Sequence, residues 1–229
     1  PAKSGGFSFP RNFFSTTTPA LAGGRSRMID MATHSPAELE ARLRLHALPA
    51  IGPRRMSRLL EVFGSASAAL SAPASAWRSL GLPAEAAEQR RSPSTRDSAA
   101  RALVWLEQAD HHLLCLHDPD YPALLAELVD APPLLFVQGD PALLERPQIA
   151  MVGSRRASKP GLQTAEAFAR CLAQSGFVVT SGLALGIDGA AHRGALATGR
   201  TVAVLGTGLQ CLYPQRHAGL ADDIVAAGG

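Results

Sequence analysis

Residues 148–161 read QIAMVGSRRASKPG, and this stretch decides the fold: an apolar run from Gln148 to Val152 enters a glycine turn at Gly153, ahead of a helical pattern from Thr164 to Gln174. The unit recurs twice. Residues 177–192, FVVTSGLALGIDGAAH, give a strand over Phe177 to Thr180, a turn at Ser181 and Gly182, and a following helix. Residues 201–214, TVAVLGTGLQCLYP, give a strand over Thr201 to Leu205 and a turn carrying Gly206 and Gly208. Buried strands that alternate with helices imply a parallel sheet with right-handed crossovers. The expected fold is therefore α/β, a Rossmann-like doubly wound, mostly parallel sheet.

Upstream the texture differs. Two more strands are expected at His112 to Leu116 and Pro133 to Val137, flanking a Tyr121-Pro122 turn and a short helix. From Pro36 to about Leu70 the apolar residues Leu39, Leu43, Leu45, Leu48, Met56, Leu59, Leu60, Val62 and Phe63 recur at helical spacing. The sequence LPAIGPRR at 48–55 breaks them, with Pro53 suited to the first position of the next helix. Such a turn is similar to a SAM or helix-hairpin-helix element, whose amides can hold a DNA phosphate. Ala50 stands where that hairpin usually has its first glycine-like position, so DNA contact and a plain αα-hairpin both stay open. Arg54, Arg55 and Arg58 form either a basic face or a solvated one. Residues 71–94, with Pro73, Pro83 and Pro93, permit short helices and a loose connection, and a helix over Arg96 to about Ala109 follows.

These textures divide the chain into a disordered or foreign segment at 1–33, a small helical domain at 34–95 and the α/β domain at 96–229. The start is rich in Gly, Ser, Thr and Pro and lacks a continuous apolar stretch, which argues against a secretory signal; its Arg and Ser content resembles a transit peptide, and Met28 or Met31 suits a native start better than Pro1. Only three core strands are legible before Gly229, where a doubly wound sheet has five or six. A C-terminally truncated domain is expected.

With 46% hydrophobic residues in 229, the chain can bury a core, and it has no run of about 18 apolar residues that could span a bilayer. Cys115, Cys171 and Cys211 stand singly, without C-x-x-C spacing, so neither a zinc site nor a disulfide framework is suggested, and a reducing cytoplasm fits. The net charge is only +3, and the arginine-rich basic set is compatible with nucleic acid without requiring it.

The three turns carry the chemistry. Gly153 permits close backbone approach, Ser154 offers a hydroxyl, Arg155 can clamp a phosphate, and helix N-terminal amides favour an anion. Arg156 and Lys159 are either anion contacts or solvated charges. Ser181, Gly182 and Gly186 suit a phosphate cradle; Asp188 would repel a phosphate and is read as a helix cap or loop brace. His192 lies four residues on, and a structural role for the pair is expected over acid–base catalysis. Gly206 and Gly208 precede Tyr213, which could stack on a base or pack within its loop. In an open parallel sheet these turns share one edge, so a polyanion fits the crevice they form. The phosphate-loop signature G-x-x-x-x-G-K-S/T is absent, and Gly206-x-Gly208 lacks the third glycine of a dinucleotide site. No catalytic residue, metal or cofactor is expected. A nucleotide or nucleoside-phosphate enzyme on the same fold is the alternative, although no P-G-G-x-G-T-x-x-E signature is present.

In that order and spacing, IAMVGSR, SGLALGIDGAAHRGAL and TVAVLGTGLQCLYP resemble the DprA/Smf family, as do the upstream DPDYPALL and PPLLFVQGD. The resemblance covers about residues 36 to 229. It implies a single-stranded DNA binder that protects incoming DNA and loads the RecA recombinase during natural transformation, a homodimer when complete. It also implies DNA contact through Gly153, Ser154 and Arg155, with the second loop falling on Ser181, Gly182, Gly186 and Asp188 and the third ending at Tyr213 and Pro214. The S-E and F-P-x-R-N-R segments with which that family continues are not in this sequence.

Overall fold

Three of the longer helices start with the same device, a serine whose hydroxyl accepts an amide one turn in, closely followed by proline. Ser35 caps α1 (Pro36–His46), Ser92 caps the helix Pro93–Leu106, and Ser158 caps Lys159–Gln174, with the Ser158 hydroxyl 3.2 Å from the Gly161 amide. The cap satisfies an otherwise orphaned N–H, and proline fits the first turn, where its missing donor costs nothing. The computed structural model that shows this describes residues 34–229. The expectations for residues 1–33, a disordered or foreign start with Met28 or Met31 as the native first residue, lie outside the described residues.

In chain order, α1 is followed by α2 (Pro53–Phe63), α3 (Ala66–Ser71), α4 (Ala74–Ser79), α5 (Ala84–Gln89) and α6 (Pro93–Leu106). Then come β1 (His111–Cys115), α7 (Ala123–Ala126) and β2 (Leu134–Gln138), with β1 and β2 paired antiparallel, Leu113 opposite Phe136. Next are β3 (Gln148–Ala150), α8 (Lys159–Gln174), β4 (Val178–Ser181), α9 (Ile187–Leu196), β5 (Thr201–Ala203) and α10 (Ala218–Ala226). The class is α/β. Among the described residues, no helix is long and apolar enough to cross a membrane.

The helical region packs around fully buried Leu45, Met56, Leu59 and Trp77, and the same core takes in Ala99, Cys115 and Leu134. The stretch at 71–94, expected to hold short helices and a loose connection, carries the short helices α4 and α5. Trp77 is buried, and its indole N–H donates to the Ala69 carbonyl at 2.8 Å, which ties α4 to α3. The turn between α1 and α2 holds Ala50 at φ 60, and the Arg55 guanidinium donates to the Ala50 carbonyl at 2.6 Å. At least one arginine of the expected basic face thus braces the hairpin.

Strands β3, β4 and β5 are parallel and adjacent in that order, with Ile149 opposite Val179 and Thr180 opposite Val202. Each is a residue or two different from its expected span, and β3 and β5 are shorter, because pairing ends as the glycine turns begin. Helix α8 starts five residues earlier than the periodicity places it, since Ser158 and Pro160 open it. Helices α8 and α9 pack on each other through Ala169, Ala173, Ala191 and Ala195, and a Cβ at Gly194 would overlap the Glu166 carbonyl oxygen. Both crossovers therefore lie on one face of the three strands, and residues 148–203 do not themselves form the second wound face of a doubly wound sheet.

Glu38 couples two helices. Its carboxylate accepts the Ala66 amide at 2.7 Å and the Ser67 amide at 3.0 Å, the first two amides of α3, and pairs with Arg42 at 3.4 Å. Burial, the largest single influence, pushes its pKa up, but the Ser67 and Ala66 amides together with the Ser67 hydroxyl and Arg42 outweigh it, and the net shift is down from 4.5. The stabilisation is thus present above that value and fades as pH falls through it. Replacing Glu38 with Gln should cost about 1–2 kcal/mol in denaturant unfolding at pH 7, and the gap between the two proteins should narrow below pH 4.5.

Candidate functional site

Parallel pairing of β3, β4 and β5 sends three loops off the same edge, and two of them interlock. The Ile187 amide, at the start of α9, donates to the Ser154 carbonyl at 3.2 Å. The contact requires glycine at 186, where φ is 84 and a Cβ would overlap the Ser154 carbonyl oxygen. Across the same junction a Cβ at Gly153 would meet the Ile187 side chain at 2.7 Å. These two glycines serve loop-to-loop packing, and the α9 N-terminal amide of Ile187 is used by the first loop and not by an anion.

Ser181 and Asp188 hold the junction from behind. Ser181 is 3% exposed and donates its hydroxyl to the Met151 carbonyl at 2.6 Å. Asp188, also buried, accepts the Gly182 amide at 3.2 Å and the Ala184 amide at 3.4 Å through one carboxylate oxygen. Its charge is spent on the backbone of the second loop. The Ser154 hydroxyl accepts the Arg156 amide at 3.1 Å, which fixes the bend that exposes Arg155.

His192 is fully buried beneath these loops. The Thr201 hydroxyl donates to the Val179 carbonyl at 2.5 Å, so the His192 Nδ1–H must donate to Thr201 Oγ1, 2.8 Å away. The ring is then neutral, with Nε2 unpartnered. Burial drives its pKa down from 6.5 to about 4, against the opposing pull of Asp188. The hydrogen bonds of Asp188 and His192 go to different partners, although both side chains lie on α9.

What remains open in front is a cavity of about 260 Å³ lined by Arg155, Gly182, Ala184, Leu185, Leu205, Gly206, Thr207, Tyr213 and Pro214. All three loops contribute. Of the residues singled out from the sequence, Arg155, Gly182, Gly206, Tyr213 and Pro214 meet here, whereas Gly153, Ser154, Ser181, Gly186, Asp188 and His192 lie outside the lining. Arg156, Lys159 and Gly208 are exposed and also outside it. Lys159 opens α8. Leu185 and Leu205 escape sequence reasoning, because apolar residues after strand ends read as core; Leu185 is nonetheless 37% exposed. Tyr213 is 69% exposed, so its ring is available to a ligand. The lining holds one cation, an aromatic, a hydroxyl and apolar walls, without a carboxylate, imidazole or thiol. That set can take an anion and a flat ring.

A second basic concentration lies in the helical region. Arg44, Arg91 and Arg96, with Leu70 and Ser71, line a cavity of about 320 Å³. Arg91 and Arg78 lie near enough to Arg90 to act, after burial, in lowering its pKa, so positive charge is concentrated there. Sequence reasoning points instead to Arg54, Arg55 and Arg58.

A family model for DNA recombination-mediator protein A matches residues 112–229. The chain is 44% identical over 142 residues to protein Smf of Escherichia coli, covering 62% of this chain and 38% of that protein. It is 47% identical over 108 residues to the DNA processing protein DprA of Streptococcus pneumoniae, covering 47% of this chain and 38% of the relative. The chain thus spans about two-fifths of the length of these curated relatives. The X-ray structure of DprA from Streptococcus pneumoniae superposes with a TM-score of 0.55 at 29% identity, over 82% of this chain and 64% of that one.

Two outcomes test the geometry behind the cavity. Gly186→Ala should lower stability by about 3 kcal/mol, through a clash and a left-handed φ together, as measured by denaturant unfolding. For His192, the unfolded ring binds a proton near 6.5 and the folded one only near 4, so stability is complete above the first value and lost as pH falls toward the second. The loss should be on the order of 3 kcal/mol, and His192→Asn should flatten the unfolding midpoint between those pH values.

Proposed function

The chain belongs to the DNA recombination-mediator protein A family, DprA or Smf, and on that premise we propose that its three-loop crevice binds single-stranded DNA without catalysing a reaction on it. The observation that carries the reading is the meeting of Arg155, Gly182, Gly206 and Tyr213 around one cavity at the carboxyl edge of the parallel strands. Arg155 takes a backbone phosphate with its planar, bidentate donors. Tyr213 stacks on a base, a contact every base can make and one that a duplex, with its bases already stacked, resists. Leu185 and Leu205 wall the base side and exclude water. Gly153, Ser154, Ser181, Gly186 and Asp188 act by fixing the two loops, and Arg156 and Lys159 extend the positive field along the path of the strand.

The lining lacks an acid, imidazole or thiol that could serve as general acid, base or nucleophile, which favours a binding role over nucleotide turnover. We read residues 96–229 as the Rossmann-like part of a doubly wound domain and residues 34–95 as a SAM or helix-hairpin-helix-like partner. The arginines around the helical cavity would give that partner a secondary phosphate contact. In the complete protein the bound strand is handed to RecA, and the protein acts as a homodimer, as the family membership suggests.

Fluorescence anisotropy of a labelled oligothymidylate tests the reading. Binding should prefer single strands over a duplex competitor and weaken steeply with salt, by about 0.7 in log–log slope for each phosphate contact. Arg155→Glu should weaken it at least about tenfold, the loss of one charge-assisted contact of about 1.5–3 kcal/mol; Tyr213→Ala should cost a similar factor with little change in salt slope. Unchanged affinity in both variants would remove the crevice as the site, and mononucleotide hydrolysis would support an enzyme instead.

A further inference from the structure

His34, Cys115 and Asp118 come from opposite ends of the first core, yet each offers one ligand atom and these atoms lie within 4.8 Å of one another. We propose that they form a site for a single divalent transition ion of the zinc type, joining the segment before α1 to the turn after β1. Such a site is independent of the DNA reading.

The local fold builds the site. The Asp118 amide donates to the Cys115 carbonyl at 3.0 Å, closing a tight turn whose third residue, His117, has φ 77. A positive φ at that position, with Leu116 not positive, is the pattern of a type II turn and normally calls for Gly or Asn. His117 adopts it, and the turn brings the Asp118 carboxylate back beside the Cys115 side chain. The turn is held further by the Tyr121 amide, which donates to the Asp118 carbonyl at 3.0 Å, and by the Tyr121 hydroxyl, which donates to the Pro132 carbonyl at 2.8 Å. Across 84 positions of sequence, His34 Nε2 lies 2.9 Å from Asp118 Oδ1.

The donor set suits the ion. Thiolate, imidazole and carboxylate are the three protein ligands of borderline divalent metals, which bind them at about 2.0–2.3 Å in a tetrahedron. A tetrahedron of those bond lengths separates ligand atoms by about 3.3–3.7 Å. The three ligand atoms already lie within 4.8 Å of one another, and binding requires the His34–Asp118 pair to open from 2.9 Å. The fourth position falls to water. Cys115 is 1% exposed, and the side chains of His34 and Asp118 are 18% and 13% exposed, so the site is sheltered. Charge favours a cation: Asp118 and Asp120 lie beside the thiol, and the one opposing charge, Arg42, is paired with Glu38. On binding, the hydrated ion releases its waters to solvent except the one that keeps the fourth position, the thiol proton leaves to solvent, the metal bonds to Cys115 sulfur, His34 Nε2 and an Asp118 oxygen form, and the imidazole proton resides on Nδ1; no oxidation is involved.

Co(II), added to the whole reduced chain under anaerobic conditions, is the probe. One equivalent should produce a thiolate-to-metal charge-transfer band in the near ultraviolet with tetrahedral d–d bands in the visible, and Zn(II) should bleach both. Variant Cys171→Ala/Cys211→Ala should keep the full spectrum, since Cys115 is then the sole thiol; Cys115→Ser should lose the charge-transfer band. His34→Ala and Asp118→Asn should each weaken Co(II) binding at least about tenfold, and His34, which precedes the Ser35 cap of α1 and is not part of the buried core, is the replacement the core tolerates best. Zn(II) should also raise the thermal midpoint of the native sequence and leave that of His34→Ala unchanged. Absence of a stoichiometric charge-transfer band in the Cys171→Ala/Cys211→Ala variant would overturn the proposal, as would colour that survives in a folded Cys115→Ser protein.

Discussion

The carboxyl edge of the sheet depends on one close approach, the Ile187 amide against the Ser154 carbonyl with no side chain at 186 to hold them apart. Through it the first and second loops become a single rigid piece. Asp188 then ties down the amides of Gly182 and Ala184, Ser181 reaches across to Met151, and only the outward residues of the loops are left for a ligand. A crevice whose walls are fixed by backbone contacts is preorganised, so a ligand that enters it does not have to meet the cost of ordering them.

That constraint separates two kinds of glycine. Gly153 and Gly186 are glycine because another part of the chain occupies the space a side chain would need. At Gly206 the space a Cβ would take has no neighbour within 4 Å, and the residue lines the cavity, so its smallness serves whatever enters. The same division runs through the polar residues: Ser181, Asp188 and His192 are consumed by internal bonds, whereas Arg155 and Tyr213 project outward.

The helical region is bound into the rest by more than chain continuity, since Cys115 and Leu134 from the β1–β2 pair belong to its core. The arginine cavity and the His34, Cys115 and Asp118 cluster both arise from this packing. Neither has a sequence spacing that would mark it. Arg44, Arg91 and Arg96 sit on separate elements, and the metal-type ligands are separated by up to 84 positions.

By itself the sequence determined the α/β class, the positions of the strands to within a residue or two, and the three loops that share an edge, because alternation of short apolar runs with helical periodicity and glycine turns is a local signal. Its ordered motifs also carried the family resemblance. What only the tertiary structure decided was which residue in each loop faces outward, that both crossover helices pack on one face, and that the stretch around Trp77 is core. Those depend on contacts between segments far apart in the chain: Gly186 on Ser154, Gly194 on Glu166, His34 on Asp118, and Trp77 within the core that also holds Leu45 and Leu134. Periodicity records which side of an element is apolar, and only packing fixes what that side meets.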